Sequence, residues 1–298
     1  MKQERIGGTV HRERTSLDAA YAYCERLAKT HYENFTIGSW FLPQRIKKHL
    51  YAIYGFSRFV DDLGDEAPGG PEDRLMLLDL WEAELKRCYE GTPEHIIMIA
   101  LQDTIRRFSI PPDPFLKLIE ANRIDQRISR YPTFEDLLYY CDHSANPVGH
   151  LVLYLFGYSD AERQQLSDHT CTALQLTNFW QDIARDLDRD RIYLPLEDME
   201  RFDCSEAMLR RGRVDERFAA LLTFEIERTW DMFAEGLKLV DRVDRRLRRD
   251  LKLFTLGGMK VLDAIERCDY DVFNRRPTLS RWRKAGLMIR MAFGRIGG

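Results

Sequence analysis

The sequence predicts an all-α fold, a single helical domain over residues 1–298. Two observations lead there. Apolar residues recur at three- and four-residue spacing through nearly every segment, and strand-like alternation is almost absent. Capping and breaking residues sit between the apolar runs rather than inside them. With 44% hydrophobic and 31% charged residues, the chain can bury a sizeable core and does not read as disordered.

The elements follow in order. Residues 1–14 read as a flexible N-terminus, and Thr15 or Ser16 caps a first helix running toward His31. Pro43 sits where a first-turn proline opens a helix. That second helix carries Ile46, Leu50 and Ile53 at helical spacing and runs into "RFVDDLGDE". "APGGP" then interrupts the chain. "EDRLMLLDLWEAELKRCYE", "EHIIMIALQDTIRRF" and "DPFLKLIEANRIDQRI" supply three further helices. Thr133 caps the run "FEDLLYYC", which "VGHLVLYLF" follows. A long helix ends in "NFWQDIARDLDRDRIYLP", a looser region surrounds "LPLEDMERFDCS", and three more helical runs complete the chain.

Charge and cysteine usage exclude several functions. A net charge of −3 gives no reason to expect a nucleic-acid partner. Six scattered cysteines without a CxxC pair suggest reduced cytosolic thiols rather than zinc or a disulfide framework. The N-terminus lacks the apolar run of a signal peptide, and no stretch approaches the roughly 18 apolar residues of a membrane span. A cytoplasmic location is expected. Residues 279–298 form a basic amphipathic segment that can rest on the inner face of an anionic membrane or pack as a last helix.

Two acidic boxes carry the chemistry. In "RFVDDLGDE", Asp61 and Asp65 share a helical face, while Asp62 points elsewhere and can pair with Arg58. In "NFWQDIARDLDRD", Asn178, Asp182, Asp186 and Asp190 line up as one stripe. Each box ends an apolar helix, where the helix dipole makes negative charge least welcome. A solvated helix end neutralised by Arg185, Arg189 and Arg191 accounts for one such box. Two with identical spacing favour hard divalent cations, which take oxygen ligands. Two carboxylates ~6 Å apart at an effective dielectric near ~20 repel by roughly 3 kcal/mol, which a bound ion reverses. Magnesium between two acidic helices suits ionisation of an allylic or cyclopropylcarbinyl diphosphate. The resulting cation then needs shielding by aromatic faces. Phe35, Trp40, Phe41, Tyr51, Tyr54, Phe56 and Phe59 are available for that or for core packing.

On these residues the chain resembles the head-to-head isoprenoid synthases, the squalene and phytoene synthases and their relatives. "HYENF", "LYAIYGFSRFVDDLGDE", "LIEANRIDQRISRYPTFEDLLYYC" and "LQLTNFWQDIARDLDRDRIYLP" occur in that family's order and spacing, from about Ala19 to Tyr270. The resemblance implies that Asp61, Asp65, Asp182 and Asp186 bind magnesium. It implies that Asn178, Arg58, Tyr54 and Tyr193 contact the diphosphate or its ions. His31 and Phe35 fall at the entrance to the substrate site, and Tyr270 matches a C-terminal tyrosine. The implied fold is the isoprenoid-synthase type of helical bundle with a central apolar cavity, and the implied partner is an isoprenoid diphosphate.

Departures from the common pattern indicate a branch. "YCDHSANPVG", Tyr140 to Gly149, replaces a run of small residues, and Gln181 stands where an arginine is common. These features resemble the bacterial hopanoid branch that ionises presqualene diphosphate and adds water, without NADPH, to give hydroxysqualene. Loss of an arginine at Gln181 fits a single diphosphate. His143 and Asn146 form a polar patch that can orient water toward the cation, or they hydrogen-bond within a helix kinked by Pro147. A greasy substrate also implies functional association with the enzyme that makes presqualene diphosphate. Three other readings stay open: a transferase joining two prenyl diphosphates, a reducing squalene synthase, and a non-catalytic assembly factor.

Overall fold

A computed structural model describes residues 16–30 and 44–277. His31 and Phe35, the stretch 1–14 and the tail 279–298 therefore lie outside the described residues. Among the described residues the chain forms twelve α-helices, and strand pairing is limited to an isolated bridge between Arg130 and Ile192.

The first half contains α1 (Leu17–Thr30), α2 (Gln44–Asp61), α3 (Pro71–Glu90), α4 (Ile96–Phe108) and α5 (Asp113–Asp125). The Ser16 hydroxyl accepts from the Ala19 amide at 3.2 Å, as its position in the sequence predicts. Ile46, Leu50 and Ile53 of α2 are buried. Phe56 meets the rings of Trp81 (5.8 Å) and Phe115 (5.0 Å), which ties α2 to α3 and α5. Full burial of each such side chain stabilises the fold by roughly 1.5–3 kcal/mol. Phe56 and Phe59 are thus engaged on the α3 side, Phe59 lying 4.3 Å from the Trp81 ring.

The second half contains α6 (Phe134–Ser144), α7 (Asn146–Leu155), α8 (Ala161–Asp188), α11 (Glu216–Gly236) and α12 (Arg245–Arg267). Two short helices, α9 (Leu196–Arg201) and α10 (Glu206–Arg210), fill the looser region. Thr133 caps α6 by accepting from the Asp136 amide, and Asp136 returns a bond to the Thr133 amide. α8 is the central helix, packed on α7, α11 and α12. Its Trp180 is fully buried and donates from Nε1 to the Thr229 hydroxyl at 3.0 Å. Gly149 allows α7 to lie close on α8, since a Cβ there would stand 2.2 Å from Ser167 Oγ.

Three local features set the site. After Asp61 the chain passes through a π-helical turn, Asp62–Glu66, closed by the Ala67 amide donating to the Asp62 carbonyl at 2.9 Å. α6 and α7 are separated at Ala145, with Pro147 in the first turn of α7, so the proline divides two helices instead of bending one. α8 stops at Asp188, and Asp190 adopts φ 56°. Asp190 accordingly leaves the predicted stripe. It pairs with Arg130 at 2.9 Å and Arg210 at 2.5 Å, contacts that hold it beyond the helix end.

Candidate active site

The two boxes converge on α5. Gly64 of the π turn abuts Asn122 so closely that a Cβ would fall 2.2 Å from Asn122 Oδ1. Asn122 Nδ2 donates to Asp61 at 3.3 Å, and Gln126 Nε2 donates to the Gly64 carbonyl at 3.0 Å. Asp61 keeps accessible surface although protein crowds its carboxyl, the situation of a group on the wall of a recess. Burial pushes that carboxyl up to about 6, against the hydrogen bond from Asn122 and with repulsion from Asp65 and Asp125. Arg58 is held between Asp62 (2.5 Å) and Glu66 (2.7 Å), the former pairing being the one expected from the sequence.

From the second box, Asp186 is pushed up to about 7, first by burial and then by Asp182, while Arg191 and Arg189 oppose the shift. Asp182 is gripped by Arg276, whose Nε and Nη2 each stand 2.6 Å from a carboxylate oxygen. Arg185 lies 3.6 Å from the same carboxylate. Next to it, Gln181 is buried and its amide donates to the Pro277 carbonyl.

Asp125 joins the two halves. Burial pushes its carboxyl up to about 6, with Arg191 and the Tyr140 hydroxyl (2.8 Å) opposing and Asp65 adding to the shift. Its Oδ1 is buried without a hydrogen-bond partner. Asp61 and Asp186 both feel its charge, so carboxylates of both boxes face this position on α5. Arg191 spans the gap, 3.1 Å from Asp65 and electrostatically coupled to Asp125. Beneath them lies an aromatic cluster: Tyr193 is 3.8 Å from Phe179 with rings 8° apart, Tyr131 lies 5.6 Å from Tyr193, and Tyr140 lies about equally far from Tyr193 (5.8 Å) and Phe179 (6.1 Å).

The predicted residues divide accordingly. The four box aspartates, Arg58 and Tyr193 come together, and Tyr54 joins them one turn before Arg58, close enough to feel Arg58 and Asp61. Asn178 is exposed one turn before Asp182 on the same face of α8. Tyr270 packs against the second apolar core at φ 63°. The contacts of His143 and Asn146 lead away from the aspartates. His143 stacks 4.4 Å from exposed Tyr139, and its Nδ1 lies 2.8 Å from the Tyr139 carbonyl. Asn146 accepts from the Thr172 hydroxyl at 3.0 Å and lines a cavity of about 360 Å³ with Gln165, Asp168, His169 and Met232.

Asn122, Asp125, Tyr140 and Arg276 were not singled out from the sequence. Asn122 and Asp125 left a signal, a polar pair three residues apart on a helix whose Leu118, Ile119, Ala121 and Ile124 are buried. Arg276 left none.

The donor set suits magnesium: it offers hard carboxylate oxygens, and burial raises the carboxyls of Asp61, Asp125 and Asp186. Among the described residues no three carboxylates stand close enough to enclose an ion by themselves. Such an arrangement fits magnesium, which keeps waters and substrate phosphate oxygens in its shell and takes only one or two protein carboxylates.

Comparison with known proteins places these features in context. The profile of the squalene/phytoene synthase family matches residues 28–283. A 15-cis-phytoene synthase from Synechococcus elongatus is 32% identical over 281 residues, covering 90% of this chain and 91% of the relative. The crystal structure of squalene synthase HpnC from Alicyclobacillus acidocaldarius is 46% identical, with a TM-score of 0.83 over 86% of this chain and 96% of that one. A dehydrosqualene synthase solved in complex with ligand superposes with a TM-score of 0.85 at 26% identity, over 93% of this chain and 97% of its own.

Proposed function

Because this chain belongs to the squalene and phytoene synthase family, we propose that it is a hydroxysqualene synthase. Presqualene diphosphate ionises, the cyclopropylcarbinyl cation rearranges, and one water adds to give hydroxysqualene, diphosphate and a proton. The observation that carries this reading is the 46% identity to the HpnC structure, against 32% to the phytoene synthase. Gln181 adds support, since its side chain is committed to the Pro277 carbonyl and offers no cation to a second diphosphate.

Asp61, Asp65, Asp182 and Asp186 would hold magnesium, which when bound supplies positive charge against the diphosphate as its C–O bond breaks. Arg58, Arg191 and Arg276 already pair with carboxylates here and can pass to the diphosphate oxygens as it enters. Asn178 and Tyr54 border the same space. The stack of Tyr193, Phe179 and Tyr140 offers aromatic faces to the cation and excludes bulk water. Of the two residues assigned to water, Asn146 is held by Thr172 beside a cavity that none of the box aspartates lines, so its part in placing water would be indirect. His143 lies one turn away and acts at most through its neighbours. No nicotinamide cofactor is required, and the substrate must come from an enzyme that makes presqualene diphosphate.

A second reading, a transferase condensing two prenyl diphosphates, is favoured by the phytoene synthase relative. The test is incubation of purified protein and magnesium with presqualene diphosphate or farnesyl diphosphate, each with and without NADPH. Conversion of presqualene diphosphate alone, with solvent oxygen in the product, is expected. Condensation of farnesyl diphosphate would replace the first reading by the second.

A further inference from the structure

The end of the bundle away from the aspartates carries an opposite electrostatic anomaly. α2 opens with Arg45, Lys47 and Lys48, and α12 opens with Arg245, Arg246, Arg248 and Arg249. Neither helix has an acidic residue in its first turn. Cations at a helix N-terminus oppose the dipole, so local helix stability does not account for them. Among the described residues none of the seven forms an ion pair, although arginines elsewhere, such as Arg123, Arg130 and Arg228, are held by two or more carboxylates.

The two helix starts pack on the same helix: Ile46 and Leu50 share a core cluster with Leu151 and Leu155 of α7, and Leu247 shares one with Leu153. Asp250 of α12 is coupled to Lys47 of α2 as well as to Arg249. Lys48 and Arg107, at the end of α4, both act on His49. The acids nearby do not neutralise the group. Asp250 is only 3% exposed, Asp103 accepts the Tyr21 hydroxyl at 2.7 Å, and Asp244 is occupied in capping α12. Arg45, Lys48, Arg245, Arg246 and Arg249 are exposed. In a chain of net charge −3 this positive face is local, and it orients the molecule toward an anionic surface.

We propose that this face, formed by the starts of α2 and α12, docks the protein on an anionic lipid bilayer. The choice of a bilayer over other polyanions rests on the reading that substrate and product are lipids. Geometry supports it. Lys48 and Asp61 are separated along α2 by roughly 20 Å at the helical rise of ~1.5 Å per residue. On the proposed function, hydrocarbon arms attached to a diphosphate at the aspartates would have the length of α2 over which to extend toward the basic end. On α12, Phe254 is 40% exposed one turn beyond Asp250 and adds apolar surface to that path. Polybasic clusters of this size bind acidic leaflets through summed charge, which salt screens.

The test is vesicle sedimentation of the full chain with phosphatidylcholine alone or with about 30% phosphatidylglycerol, in low and high salt. Binding to the acidic vesicles only, weakened by salt, is expected. The combined variant Arg45→Glu, Lys48→Glu, Arg246→Glu and Arg249→Glu should reduce that binding by about tenfold or more. It should leave turnover of detergent-dispersed substrate unchanged and slow turnover of vesicle-borne substrate. If circular dichroism shows lost helicity, the same positions changed to Gln provide the comparison. Unreduced binding by a folded variant, equal binding to neutral vesicles, or preference for duplex nucleic acid would overturn the proposal. Absence of any turnover would count against the enzymatic reading while leaving the vesicle result intact.

Discussion

Asp186→Asn separates a carboxylate kept for function from one kept for stability. The Asp186 carboxyl is pushed from 3.8 to about 7, mainly by burial and next by Asp182. At ~1.4 kcal/mol per unit the shift would correspond to about 4 kcal/mol in a dry site. Asp186 is only half-buried, so screening reduces this to on the order of 1–2 kcal/mol. The sign follows from linkage. The folded pKa is raised, so this group's contribution to stability is fully present below the ordinary value of 3.8. It is lost as pH rises to about 7 and stays lost above. In chelator at pH 8, Asp186→Asn should therefore raise the urea midpoint, and the gain should shrink toward pH 4.5. Magnesium-dependent diphosphate release should fall by on the order of a hundredfold, the scale of removing one transition-state stabilising group. A variant destabilised at pH 8, or a gain independent of pH, would refute the view that this carboxylate costs stability.

Other perturbations probe the surrounding framework. Gly64→Ala forces a Cβ to 2.2 Å from Asn122 Oδ1, so it should cost about 1–3 kcal/mol by thermal melting and lower activity through displaced Asp61. Tyr140→Phe removes the 2.8 Å hydrogen bond that lowers the Asp125 pKa, and the acid limb of the pH–rate profile should move to higher pH. An unmoved limb would show that Asp125 does not set it. Asp250 is buried with both oxygens unpartnered and its pKa pushed to about 7, so Asp250→Asn should stabilise the protein by a few kcal/mol at pH 8 and less at pH 5. Equal urea midpoints for that variant and the natural chain at pH 8 would contradict the burial assigned to Asp250.

Helices and their starts were legible because their signals are local. The periodicity of Ile46, Leu50 and Ile53 and the caps at Ser16 and Thr133 depend on residues within one turn. The box aspartates were legible for the same reason. Asp125 and Arg276 were not, since their place at the site is set by packing of distant segments: Arg276 reaches Asp182 across 94 positions. Four-residue spacing places Asp190 in a stripe that its pairing with Arg130 and Arg210 cuts short. His143 and Asn146 read as one patch, but the interruption at Ala145 turns one toward Tyr139 and the other toward Thr172. A kinked helix and two helices divided by proline leave nearly the same sequence.

The widened turn between Asp62 and Glu66 has a practical consequence for protein engineering. The relative bearing of Asp61 and Asp65 is fixed by a main-chain bond and by a glycine resting on a neighbouring asparagine. Grafting "DDLGD" onto a regular helix of another scaffold would carry the letters across and lose the bearing. The portable unit is the pentapeptide together with the partner helix bearing Asn122 and Gln126, and a graft that omits that partner should bind divalent ions poorly.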